Sequence, residues 1–437
     1  MVQLKRAATV PAAFRRAVDA AALRSRLRGQ GPSGGSRTQP SSVNSAARMS
    51  RSGARLRVYD DLFAVEREWK RLEIGAEGTA FQSFDWLAAF IQHVAPSRDI
   101  KQAIVCGWDL DGELLFVFPF AIEKKGPIRS LVWLGSDLCD YNAPIFSSES
   151  LTKFCADNFD LLWAEVIALL RSDPRYRFDL IDLQKMPDCI NGVKNPFVAL
   201  PVFPHTSSGH LVELGTTWDS FYAAKRSSST RKRERRQLRQ MSDHGEVRFV
   251  RMREPAEIET TLETLFRQKS AWFARTGVAN IFARPGYRDF FRELATDRGM
   301  QDMVHLHRLD IGRAIAATSF GLLWGTRFYL VLSSYTDGDL ARFGPGRAHL
   351  HELFRFAIEN GCTELDLTIG DEPYKFEWSD RQVRLFDHLC AATIRGGPMV
   401  VTMKALRQAK GVVKTTPALW SAFVRARALL GSTRTGR

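Results

Sequence analysis

The sequence predicts an α/β protein made of two halves, each a mixed, mostly antiparallel sheet flanked by helices. Three observations carry that expectation. Amphipathic helical stretches and short apolar runs follow one another in a similar order twice along the chain. Turn signals join neighbouring apolar runs: Asp111-Gly112 between Ala103–Trp108 and Glu113–Ile122, and Asp310-Ile311-Gly312 between Val304–Leu309 and Ala314–Trp324. Such short connections make hairpins, hence antiparallel pairs. A stretch rich in Pro, Ser and His, Pro201–Ser208, separates the two series.

In the first half, order is expected from near Leu56. Leu62–Ile74 reads as an amphipathic helix with Phe63, Trp69 and Leu72 on its apolar side, and Phe84–Val94 as a second helix capped by Ser83. The Asp-Gly hairpin follows, then a strand at Ser130–Leu134, a long helix at Leu151–Leu170 and a strand at Phe178–Leu183. In the second half, Trp218–Met241 reads as a helix, Val247–Arg251 as a strand, and Ile258–Phe273 and Tyr287–Leu294 as helices. A meander through Phe328–Ser334 leads to a helix at Gly346–Asn360 closed by Gly361. Glu364–Thr368 and Val383–Ile394 are the last strands. The resulting plan is a basic leader without structure over residues 1–55, halves at 56–204 and 205–396, and a basic helical tail at 397–437.

Charge is concentrated at the ends. The 437-residue chain has a formal net charge of +14. Residues 1–57 hold twelve Lys and Arg against one acid, Asp19, and residues 395–437 hold nine against none, so the body between them carries −6. A basic average is therefore no argument for a nucleic-acid-binding body. The leader is rich in Ala, Arg and Ser, like a transit peptide in composition only, and Met49 offers an alternative start. The six cysteines, Cys106, Cys139, Cys155, Cys189, Cys362 and Cys390, form no Cys-x-x-Cys pair, which fits unpaired thiols in a reducing, cytoplasmic setting. No run of about 18 apolar residues predicts a spanning helix. The basic, helix-prone tail carries Leu406, Trp420 and Phe423 and suits either an anionic membrane surface, peripheral at the inner membrane, or packing back on the body.

The segment Phe343–Trp378 concentrates the chemistry. Gly344-Pro345-Gly346-Arg347-Ala348 is a glycine turn opening a helix, where backbone N–H groups and the helix dipole favour an anion such as a pyrophosphate. The next strand and loop bring Asp366, Asp371 and Lys375. Either Asp would serve as the base that takes a proton from an amine, and Lys375 would hold a phosphate or carboxylate. Equally, Asp371 would cap a short helix over Glu372–Trp378 and Lys375 would be solvated. His305 and His307 share one strand face, while His349 and His351 do not share a helix face; no carboxylate or Cys spacing completes a site, so no metal is expected. Lys225–Arg239, dense in Arg and Lys, is like a nucleic-acid arm or a nuclear signal in composition, but without interleaved aromatics it reads better as a solvated or acceptor-facing helix face.

The element order of the second half resembles the acyl-CoA N-acyltransferase (GNAT) fold. Ser333-Ser334-Tyr335, Phe343-Gly344-Pro345-Gly346, Leu365-Asp366-Leu367, Gly370-Asp371-Glu372-Pro373-Tyr374-Lys375 and Trp378 together resemble the CelD/BcsL family of GNAT-like proteins. That family has a BioF-like acetyltransferase domain and is similar to FemAB-type double-GNAT transferases. The resemblance covers about Leu56–Ile394 and is specific in the last third. It implies two GNAT-like halves and an acetyl-CoA or other acyl-CoA donor. It also implies transfer to an amine, in a setting of cellulose or exopolysaccharide production. Ser333 and Ser334, on a strand that splays from its neighbour, would face the pantetheine arm. The turn from Gly344 to Ala348 would hold the pyrophosphate, and Tyr335 would protonate the leaving thiolate. The sequence departs from the GNAT turn pattern: Ala341 stands at the basic position, with Arg342 beside it, and Pro345 removes one N–H. Two alternatives stay open: a Fem-like transferase using aminoacyl-tRNA, and a non-catalytic accessory protein of polysaccharide synthesis.

Overall fold

The computed structural model describes residues 53–135, 137–150 and 159–415. The leader expected over 1–55 lies almost wholly outside that range, as do the start of the Leu151–Leu170 helix and the end of the tail. Two sheets of mixed strand orientation, each flanked by helices, make up the body. The first contains β1 (Arg55–Tyr59), β2 (Ile100–Trp108), β3 (Leu114–Lys125), β4 (Ile128–Trp133), β5 (Leu180–Pro187) and β6 (Val202–Pro204). The second contains β7 (Gly209–Glu213), β8 (Val247–Arg251), β9 (Val304–Ile311), β10 (Ala314–Trp324), β11 (Arg327–Tyr335), β12 (Glu364–Ile369) and β13 (Arg381–Val383), in the order β8-β9-β10-β11-β12-β7-β13.

Local chemistry explains the hairpins. Asp109 Oδ1 accepts the N–H groups of Asp111 at 2.9 Å and Glu113 at 2.8 Å, and Gly112 takes φ +84°, so the β2–β3 turn closes through an Asx bond and a left-handed glycine. Helical expectations held in place more than in extent. Leu62–Ile74 is a 3₁₀ turn, Leu62–Val65, followed by α1 (Glu66–Glu73), and Phe63 is 48% exposed rather than on the buried side. Phe84–Val94 is α2 (Phe84–Ala89) continued by a π turn, with Ser83 Oγ accepting the Trp86 N–H at 3.4 Å. The described part of the next helix is α3 (Phe159–Ser172). Trp218–Met241 is two helices, α4 (Trp218–Lys225) and α5 (Ser228–Ser242). Arg226 is extended between them, and Ser227 caps α5 by accepting the Thr230 N–H at 3.2 Å; a serine run favours a cap over a helix interior. Then come α6 (Pro255–Thr276), ended by left-handed Gly277, α7 (Tyr287–Thr296), α8 (Pro345–Glu359), α9 (Pro373–Trp378) and α10 (Gly396–Thr415).

The last strand, β14 (Leu385–Ala391), crosses back. It lies between β5 and β6 in the first sheet, antiparallel to both. The 205–396 unit of the sequence plan is therefore not closed on itself: the chain leaves the second sheet after Val383. Asp387 fastens the crossing, its buried carboxylate accepting the Lys185 N–H at 3.0 Å and bonding His205 Nδ1 at 2.8 Å.

One apolar core runs through the seam between the halves. Trp86 meets Phe290 edge-on with ring centroids 4.8 Å apart, and Phe81 meets Tyr329 at 5.7 Å. In each sheet a parallel pair separates early. In the first half β4 and β5 pair only over Ser130–Leu131 and Leu180–Ile181. Phe197 plugs the space nearby, packing on Phe118, Trp133 and Trp163 at 5.1, 5.0 and 5.5 Å. The second half has the same opening, and there a cavity remains.

Candidate functional site

In that second opening, β11 pairs in parallel with β12 only over Arg327–Tyr329 and Glu364–Asp366, while its antiparallel pairing with β10 continues to Tyr335. From Leu330 to Tyr335 one edge of β11 therefore lacks a strand partner. The cause is a kink in β12. Thr368 has φ +59°, a left-handed geometry that a β-branched residue adopts only under constraint. Two bonds supply the constraint: its N–H donates to Asp366 Oδ1 at 2.8 Å, and its hydroxyl donates to the Leu330 carbonyl at 3.2 Å. Gly370, at φ +148°, completes the turn away from β11.

A cavity of about 280 Å³ fills the splay, lined by Ser333, Tyr335, Gly346, Arg347, Tyr374 and Trp378 among others. Tyr335 is 49% exposed at its mouth. Gly346 must be glycine for the ring to sit there: a Cβ would stand 2.8 Å from Tyr335 Cδ1. Gly344, left-handed at φ +74°, and Pro345 open α8. The N–H of Gly344 is used by the Ala341 carbonyl at 3.0 Å, and those of Arg347 and Ala348 contact the Gly344 carbonyl at 3.1 and 3.2 Å. Ser334 is buried and tied to Gln268 and Thr318 at 2.9 and 2.7 Å, so it holds α6 to the strand; Ser333 is the more open of the pair.

A second, wider groove of about 740 Å³ lies on the outer side of α8, against α4 and α5, and shares Gly344 and Arg347 with the first; Ala348 lines the groove. Glu234 is buried there, accepting the Tyr222 hydroxyl. The cationic segment splits in two. Lys225 donates to the Trp378 carbonyl at 3.1 Å and Arg226 stacks 3.7 Å from the Trp378 ring, while Lys232, Arg233, Arg235, Arg236 and Arg239 are exposed on α5, Arg235 among the residues lining the groove.

The four expected catalytic residues sit in different surroundings. Tyr335 faces the cavity. Asp366 is fully buried at the seam; its Oδ1 takes the Tyr141 hydroxyl at 2.7 Å as well as the Thr368 N–H, and its Oδ2 has no partner. Burial pushes its carboxyl up to about 6, against the pull of Arg327 and of these two donors. Asp371 is exposed, with the Ser207 hydroxyl at 3.4 Å. It does not cap α9: the N-cap is Glu372, with no side-chain cap bond. Lys375 is buried rather than solvated, donating to the Ile369 carbonyl at 2.8 Å and lying 3.3 Å from Glu372. Both Asp366 and Lys375 hold the kinked end of β12.

The paired histidines are core residues. His305 and His307 stack on one face at 5.9 Å, His349 bonds Ser319 at 2.8 Å, and burial pushes His305, His307 and His349 down. Among the described residues no group of His, Cys, Asp and Glu is arranged to hold a metal ion.

Lys269 of α6 was not singled out from sequence. Its amine lies 3.3 Å from the Ser333 carbonyl and 4.8 Å from the Trp272 ring. Burial pushes it below the ordinary lysine value, Glu372 and Asp140 oppose that, and Lys375 adds to it. Asp140, Tyr141 and Lys185 reach the same region from the first half; the Lys185 amine donates to the Cys139 carbonyl at 2.7 Å. No motif marks them, because they come together only across the seam.

Residues 228–376 match the family model of an acetyltransferase (GNAT) domain. The GNAT segment spans α5 through most of α9, so it takes in the splay, the glycine turn and Lys269. A GNAT domain implies an acyl-CoA donor and an amine acceptor. The chain is also similar to solved structures. FemX is 10% identical over 76% of this chain and 96% of its own, with a TM-score of 0.48. L-PGS from Bacillus licheniformis is 14% identical over 77% and 98%, at 0.43. A tandem GNAT protein from the clavulanic acid biosynthesis pathway is 10% identical over 78% and 98%, at 0.42. No curated protein sequence matches the chain.

Proposed function

We propose that this chain is a CoA-dependent N-acyltransferase whose donor lies in the splay of β11 and β12. The observation that carries this reading is the unpaired edge Leu330–Tyr335 above a cavity that runs to the first turn of α8. Free N–H groups of that edge would bind the pantetheine arm and polarise the thioester carbonyl. Ser333 faces the arm, Gly344, Gly346, Arg347 and Ala348 the diphosphate. Arg235 of α5, which lines the groove with Gly344, would supply the cationic charge absent at Ala341.

The acceptor amine approaches from the seam. Its nitrogen attacks the thioester carbonyl carbon; the C–N bond forms and the C–S bond breaks. Lys269, whose amine burial lowers from the ordinary lysine value, would take the proton from the attacking amine when in its neutral form, and Tyr335 would give one to the departing thiolate. Asp366 and Lys375 act by holding the splay open, and Asp371 lies at the acceptor entrance. We assign the activity to the CelD/BcsL type, in the cytoplasm, with acetyl-CoA as the donor and an amine of an exopolysaccharide or cellulose pathway as acceptor. Positioning would supply much of the rate.

Calorimetric titration with acetyl-CoA, CoA and longer acyl-CoAs tests the reading. Saturable binding, with turnover lost in Lys269→Met and Tyr335→Phe, is the expected result. No binding by any of the three ends the CoA version. The exposed cations of α5 favour one second reading, a Fem-like transferase fed by aminoacyl-tRNA. Salt-sensitive tRNA binding lost on replacing Lys232, Arg235, Arg236 and Arg239 by Ala would select it. An intact cellular phenotype in the Lys269→Met and Tyr335→Phe variants would instead favour a non-catalytic accessory role.

A further inference from the structure

Helix α10 is fixed along one side. At its start, a Cβ on Gly396 would stand 2.0 Å from the Asp179 carbonyl, so glycine is what lets the helix begin so close to β5. That same carbonyl accepts the N–H groups of Ala392 at 2.8 Å and Thr393 at 3.0 Å. Val400 is buried with Leu180 and Leu389, and Met403 packs against them. Arg407 donates to both carboxylate oxygens of Asp182 at 2.8 and 2.7 Å and lies 3.6 Å from Asp387. Positions 396, 400, 403 and 407 recur at helical spacing, so one face is pinned inward and the helix cannot roll.

The opposite face is exposed and uncharged. It carries Pro398, Val401, Thr402, Ala405, Leu406 and Ala409, with Val401 69% and Leu406 59% exposed, and Ile394, 96% exposed, just ahead of it. Cations stand beside it: Arg395 and Lys404 are exposed. From Arg395 to the end, the sequence has nine Lys and Arg and no acid. We infer that this outer face of α10 docks on an anionic lipid bilayer, the apolar side chains entering the headgroup boundary and the cations meeting lipid phosphates.

Charge decides the occupant. A second copy of the chain would bring two acid-free cationic tails together, which like-charge repulsion opposes; an anionic bilayer is complementary over the whole segment. No described helix is long and apolar enough to cross a membrane, so the mode is lying on the surface. The proposal is independent of the acyltransferase reading and adds a place of action to it.

Sedimentation of the full chain with phosphatidylglycerol-containing vesicles and with pure phosphatidylcholine vesicles tests it. Binding to the first, falling as salt rises, and little to the second is expected. Val401→Asp with Leu406→Asp should weaken binding at least ~tenfold while leaving the melting temperature and the acetyl-CoA titration unchanged. Val401→Ser with Leu406→Ser, which adds no charge, gives the same reading should the aspartates disturb the fold. Three outcomes overturn the inference: no binding to anionic vesicles, equal binding by wild type and variant, or a concentration-dependent dimer that the variant abolishes. Donor binding, measured separately, reports on the acyltransferase reading.

Discussion

Tyr141 and Asp366 share a buried 2.7 Å hydrogen bond that joins the two halves across 225 residues of sequence. The same carboxylate oxygen also holds the Thr368 N–H. One side chain thus couples the seam to the kink at which β12 leaves β11.

Tyr141→Phe removes one of the two donors to Asp366. A loss of about 1–3 kcal/mol is expected, read as a lower urea midpoint with an unchanged slope. An unchanged midpoint would mean that the bond contributes nothing to stability.

Asp366→Asn keeps both acceptor bonds and removes the titration. The folded-state value, about 6, lies above the ordinary 3.8. The folded chain therefore holds this proton more tightly, and the associated stability is full below pH ~4 and lost as pH rises through ~6. Relative to Asp366→Asn, the wild type should lose on the order of 3 kcal/mol between pH 4 and 7. Parallel stability curves would show that Asp366 ionises as an ordinary carboxylate.

Gly346→Ala places a methyl group against the Tyr335 ring. The ring is half exposed and swings aside, so folding stability should change by less than ~1 kcal/mol, with the better helix propensity of Ala in its favour. Affinity for acetyl-CoA should fall about tenfold, some 1.4 kcal/mol, because the ring then occupies the cavity. Equal affinities by calorimetry would remove this cavity from the donor path.

Lys375→Met leaves the Ile369 carbonyl without its 2.8 Å donor and Glu372 without its cation. A loss of ~2–4 kcal/mol in thermal or urea unfolding is expected. Turnover by the folded fraction should change mainly in KM for the donor. A stable variant with kcat abolished would make Lys375 a catalytic residue instead of a positioning one.

Phe197→Ala empties the plug of the first half. A cost of about 3–5 kcal/mol is expected, with acyl-CoA binding unaffected. Binding of a second equivalent of acyl-CoA by the variant would reveal a donor cleft that the phenylalanine fills.

The repeated order of helices and strands, the two hairpins, the glycine turn opening α8 and the acid-free tail all follow from local periodicity and turn chemistry, and these were legible in the sequence. That Ser333, Tyr335, Gly344, Gly346 and Arg347 line one cavity follows from their lying on one strand, one turn and one helix. Partnership across the fold was not legible. Asp366 reads as a base and Lys375 as a solvated or phosphate-binding cation until Tyr141, the Thr368 kink and the Ile369 carbonyl are brought to them. Lys269 has no signature at all, since its lowered proton affinity comes from burial beside a strand some sixty residues later. The exchange of β14 into the first sheet is likewise invisible locally, because strand pairing depends on which edge is open and which buried carboxylate, here Asp387, meets it. Sequence by itself determined the elements and the chemistry they carry; tertiary structure decided which polar groups are desolvated, which are satisfied, and therefore which remain free to react.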